Sequence, residues 1–103
     1  MLKKDKIDKE KLNKANSTLN KLLCNFIANK FLLTFRDQNG CIISQNKYAS
    51  LCGLSSSTLS KIKSTSGYDM PMTTIYNICR HEKYSLKKLF DEFESKHGNN
   101  IPN

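Results

Sequence analysis

Between Cys41 and Gly67 the chain carries three charged residues, Lys47, Lys61 and Lys63, and no carboxylate. The same window holds Ser44, Gln45 and a run of hydroxyls, Ser55, Ser56, Ser57, Thr58 and Ser60. Ammonium, amide and hydroxyl groups without a neighbouring acid suit one chemistry, the holding of phosphate oxygens and base edges. A carboxylate in that place would repel a phosphate backbone. Serine can pair with several base edges. A solvated polar face has the same composition, so residue types alone do not separate the two readings.

Other chemistries find little support. Asp91, Glu92 and Glu94 fall on the polar side of an amphipathic segment, where a solvated face is expected. His81 and His97 have no nucleophile or carboxylate partner in sequence. Neither a G-x-x-x-x-G-K-[ST] loop nor a G-x-G-x-x-G turn occurs. Cys24, Cys41, Cys52 and Cys79 form no C-x-x-C pair, and no histidine stands at zinc-ligand spacing from them. Three of the four lie on or beside apolar helical faces and read as small buried hydrophobes. The expectation is a chain that is not an enzyme and takes no metal or cofactor.

Two short helices must position the phosphate-seeking groups. Ser44 is a good N-cap for a helix from Gln45 to about Cys52, and Ser55 for a second, 56–63. Ala49 is small enough to let the second helix cross closely. Gly53 can take the positive φ that ends one helix and redirects the chain. Leu59 and Ile62, three apart, share the face that packs back under Ala49 and Tyr48. This spacing predicts a helix-turn-helix over 45–63, a unit that sets its second helix in a DNA major groove.

The remaining elements follow from periodicity. Asn16 or Ser17 can cap a helix whose Leu19, Leu22, Leu23, Phe26 and Ile27 recur at i, i+3, i+4, i+7 and i+8. Phe31, Leu32 and Phe35 continue it with a wider apolar face, and Asn39-Gly40 ends it. Ser64 to Pro71 is a loop, and a fourth helix spans Thr73 to Arg80. Ser85 caps a fifth helix carrying Leu86, Leu89, Phe90 and Phe93. Residues 1–16 hold six lysines and three acids and read as a flexible basic tail, touching phosphates if it has a role. Residues 17–95 form one all-α domain of five helices, and residues 96–103 a disordered tail.

Composition sets the partner class. The chain has 103 residues, a net charge of +8, a 38% hydrophobic share and no Trp, so a deep enzyme pocket is disfavoured. The positive balance points to a polyanion, nucleic acid first and a membrane surface second. No apolar run follows the lysine-rich start and none is long enough to span a bilayer, so a cytoplasmic protein with reduced thiols is expected.

The stretch Phe31 to Phe93 resembles the XRE family, the phage Cro and lambda-repressor type of helix-turn-helix domain. The matching residues are Ser44-Gln45, Ala49, Gly53, Leu54-Ser55, Leu59 and Ile62, then Gly67 to Pro71 as a G-x-x-x-P loop, Thr74 to Cys79 and Ser85 to Phe90. The resemblance implies a lambda-repressor-like fold and a DNA-binding transcription regulator, a repressor working as a homodimer on double-stranded DNA. It implies Gln45 against a backbone phosphate and Ser56, Ser57, Ser60 and Lys61 facing base edges. It puts Ser55 and Thr58 near the backbone, with Lys47 and Lys63 as further phosphate contacts. Lys63 stands where the family often has an acid. The loop is two residues longer before Gly67 and one shorter after Pro71. Three other readings stay open: an antitoxin that binds an operator and a toxin protein through residues 1–20, a protein-interaction adaptor, and a non-specific nucleic-acid binder.

Overall fold

A computed structural model describes residues 2–64 and 66–101, with side chains from Lys9 onward. The chain is all-helical. Helix α1 spans Leu2–Phe31, α2 Gln45–Cys52, α3 Ser56–Lys63, α4 Met72–Glu82 and α5 Leu86–His97, followed by a 3₁₀ turn over Gly98–Asn100. Among the described residues there is no named strand, only an isolated antiparallel bridge between Arg36 and Ile42.

The core gathers one buried face from every helix. Ile27 of α1, Tyr48 of α2, Leu59 and Ile62 of α3, Ile78 of α4 and Leu89 of α5 are all at most 1% exposed. Each such side chain contributes about 1.5–3 kcal/mol by leaving water. Helix α1 packs along α3 and, through Phe26 on Phe93 at 5.5 Å, against α5. Cys24, Cys52 and Cys79 sit in this core, and Cys41 is exposed.

Three expectations about the periphery are corrected. Residues 2–16 are the first half of α1, not a tail, and neither Asn16 nor Ser17 starts a helix. The segment has no Gly or Pro, and six of its residues are lysine, a good helix former. A helix nucleated on the packed turns after Leu19 therefore propagates through it at little cost. Met1 lies outside the described residues.

At its other end α1 stops at Phe31, not at Asn39-Gly40. Residues 32–43 fold back as a small hairpin. Asp37 N–H donates to the Cys41 carbonyl at 2.9 Å, and Ile43 N–H to that of Phe35 at 2.9 Å. The Asp37 carboxylate closes the turn by accepting from the N–H groups of Asn39 and Cys41.

The third correction concerns the C-terminal end. Helix α5 continues through Lys96 and His97, and Ile101 packs against the core, so the segment from 96 to 101 is ordered. Pro102 and Asn103 are outside the described residues.

Candidate nucleic-acid interface

The ends of α2 and α3 are set by local chemistry. The Ser44 hydroxyl accepts from Lys47 N–H at 3.1 Å, and the Ser55 hydroxyl from Thr58 N–H at 3.2 Å. Each cap satisfies one otherwise unpaired donor in the first turn. Gly53, at φ 77°, ends α2 in the left-handed region, and its N–H bonds the Ala49 and Ser50 carbonyls. Arg80, at the end of α4, donates to the Cys52 carbonyl at 3.4 Å, so a cation also serves the C-terminus of α2.

With Leu59 and Ile62 fully buried, α3 turns Ser57, Ser60 and Lys61 outward, and Ser56 is half-buried. One flank of this exposed face is built on Gln45. Its amide Nε2 donates to the Ser56 carbonyl at 3.1 Å, the Ser56 Oγ at 3.0 Å and the Ser60 Oγ at 2.9 Å. Lys63 Nζ lies 3.3 Å from the Gln45 Oε1 and 5.1 Å from the centre of the Phe35 ring. The Gln45 side chain thus ties the start of α2 to α3. Its amide nitrogen is used within the protein, where the sequence suggested a free phosphate contact.

A hydroxyl holds one proton and two lone pairs. Because Ser56 and Ser60 accept from Gln45, their own protons remain available to donate. Ser55 is more fully used, since its Oγ also lies 3.0 Å from Ser57 Oγ and 2.9 Å from Thr58 Oγ1. Lys47 is exposed on α2. Lys61 leans over the Tyr68 ring at 5.6 Å, on the flank of α3 away from Gln45. Of the ten candidate residues, nine therefore stand on α2, α3 or the intervening turn with at least part of their surface open, and the tenth, Ser44, caps α2.

Several supporting residues carry no local sequence signal. The hairpin is held on α4 through His81. The Gln38 amide nitrogen donates to the His81 carbonyl at 2.8 Å and lies 3.1 Å from its Nδ1. That donor assigns the ring proton to Nε2, which lies 2.9 Å from the Arg36 carbonyl it donates to. The His81 ring meets Tyr48 edge to face at 4.8 Å, and Tyr48 donates to Glu82 at 2.6 Å. Burial, then the bond to Glu82, pushes the Tyr48 hydroxyl's pKa well above its ordinary value. Burial likewise pushes the Cys52 thiol up to about 11. On α5, Glu92 is more than a solvated acid. It pairs with Lys30 at 2.9 Å and accepts from the Tyr84 hydroxyl.

Among the described residues no three His, Cys, Asp or Glu side chains gather as a metal site, and no helix is long and apolar enough to cross a membrane. Comparison of the chain with protein-family models, with curated proteins and with solved structures finds no match.

Proposed function

We propose that α2 and α3 form a helix-turn-helix of the lambda-repressor-like type, and that the protein is a sequence-specific DNA-binding transcription regulator, a repressor acting as a homodimer. In this reading α3 enters the major groove. Lys61 donates to guanine O6 or N7, and Ser56, Ser57 and Ser60 meet base edges. Ser44, Ser55, Thr58, Lys47 and Lys63 lie toward the backbone. The observation that carries the reading is the exposed face of α3. Its outward side chains are hydroxyls and two lysines, no acid occurs from Ile42 to Ser66, and the buried Leu59 and Ile62 fix it from behind.

The hydroxyl protons left free by Gln45 favour acceptor edges: N7 and O6 of guanine, N7 of adenine and O4 of thymine. Serines discriminate weakly, so DNA shape supplies part of the specificity. A dimer places its two half-sites about 34–36 Å apart, one turn of DNA.

Selection from random duplexes at moderate salt tests this reading. A two-fold motif is expected to enrich, and Lys61→Ala to relax it while Lys96→Ala on α5 leaves it unchanged. Absence of any enriched motif would refute specific regulation.

A further inference from the structure

The face of α3 has two flanks. Gln45, Lys63 and the start of α2 border it on one side. On the other, Lys61 lies over Tyr68, and Tyr68 is fastened to α1, its carbonyl accepting from the Cys24 thiol at 3.2 Å. The preceding residue, Gly67, lies against the same helix. A Cβ built there would stand 2.9 Å from Lys21 Cγ and 3.5 Å from the Ser17 carbonyl. Lys21 is therefore the next cation after Lys61 on this side. Lys14 follows two turns further along α1, about 10.5 Å away on the same face. Both are exposed, and neither is in an ion pair among the described residues. The nearest acids in sequence are Glu10, one turn beyond Lys14, and Asp69, beside Tyr68. Because α1 is continuous from Leu2 to Phe31, Lys14 sits on a formed helix that extends past the loop.

A major groove about 12 Å wide has a phosphate backbone on each side. A helix lying in it needs partners on both. We propose that Lys14 and Lys21 of α1, in line with Lys61, bind the phosphates of the second strand. The start of α2 takes the first strand. This rests on the major-groove reading of α3 and extends the DNA-binding surface onto a helix outside the α2–α3 pair. The stretch of α1 from Lys14 to Lys21 then acts as a rigid basic rail along the duplex.

The test is the salt dependence of affinity for a duplex, using the full chain. Each phosphate deprived of its lysine reduces the slope of log K against log salt by about 0.9, so Lys14→Gln with Lys21→Gln lowers it by about 1.8. Between about 50 and about 200 mM salt the affinity of the double variant then falls roughly twelvefold less than that of the wild type. Lys14→Gln alone, which leaves the loop packing intact, gives half the change. Lys14→Arg with Lys21→Arg keeps the wild-type slope. Lys96→Gln, on α5, also keeps it. An unchanged slope in the double variant overturns the proposal, as does an equal change in Lys96→Gln. Sequence preference reads α3 separately. If Lys61→Ala relaxes the motif while the α1 variants keep the slope, the rail falls and the α3 reading stands. If the slope drops but no motif enriches, the rail stands and specific readout falls.

Discussion

Gly67→Ala probes the packing that joins the α3–α4 loop to α1. Gly67 has φ +82° and Gly53 has φ +77°, so an alanine at either site adopts the left-handed conformation. That conformation costs about 1–2 kcal/mol for a residue with a Cβ. The surroundings then differ. At Gly53 the nearest atom to the new Cβ is Arg80 Nη2 at 3.8 Å, an ordinary contact. At Gly67 it is Lys21 Cγ at 2.9 Å, closer than side chains tolerate. Lys21 is flexible and must rotate away, which adds about 0.5–1.5 kcal/mol for an off-rotamer side chain. Gly53→Ala is thus expected to destabilise by about 1–2 kcal/mol and Gly67→Ala by about 1.5–3.5 kcal/mol. Lys21→Ala removes the clashing atom and should return the excess in a double-mutant cycle. Urea denaturation reads these values, provided the slope of stability with urea is common to all variants. If Gly67→Ala costs no more than Gly53→Ala, or if its excess survives Lys21→Ala, then Lys21 does not lie across Gly67.

Two further outcomes follow from the burial and pairing of ionisable groups. Of the four thiols, only Cys41 is exposed, while burial raises Cys24, Cys52 and Cys79 above their ordinary pKa. A disulfide reagent at mildly alkaline pH should modify one thiol in the native protein and four in denaturant, and rapid native reaction of a second thiol would contradict the packing. The hydrogen bonds from Lys30, then Tyr84, hold the Glu92 carboxyl below its ordinary range. A lowered folded-state pKa stabilises above the unfolded value, about 4.3, and that stability is lost as pH falls through the folded value. The stability gap between wild type and Glu92→Gln should therefore narrow below about pH 4. An equal gap at neutral and acid pH would refute the pairing.

The sequence was most legible where structure is decided locally. Both ends of α2 and the start of α3 follow from Ser44, Gly53 and Ser55, whose caps and turn depend on residues within one helical turn. The end of α1 was not legible, because Phe31, Leu32 and Phe35 keep helical spacing. What draws residues 32–43 into a hairpin lies outside the segment: His81 bonded to Arg36 and Gln38, and the Tyr48 ring packed at a tilt on Phe35 at 5.0 Å. The helicity of residues 2–16 was hidden for a different reason. Polar, lysine-rich composition describes a solvated tail and an exposed helix equally well, and the choice is made by the packed turns that follow. In the candidate interface the residue types were legible and their pairings were not. Nothing in the spacing of Gln45, Ser56 and Ser60 says that one amide reaches both serines.

Those pairings bear on how the proposed DNA surface would work. A glutamine free to reach a phosphate would leave the serine hydroxyls unoriented, each able to donate or accept. Committed to Ser56 and Ser60, Gln45 instead biases them toward donation, while Lys63 is drawn back over Phe35 to the Gln45 oxygen. Phe35 stands on the hairpin that His81 pins to α4, so that flank of α3 is braced from the core. The other flank is braced by Tyr68 and Gly67 against α1. A short helix of eight residues has little stability of its own. Held from two sides by separate elements, it can present a fixed row of donors, and the rigidity of that row would let weakly discriminating hydroxyls contribute to choosing a sequence.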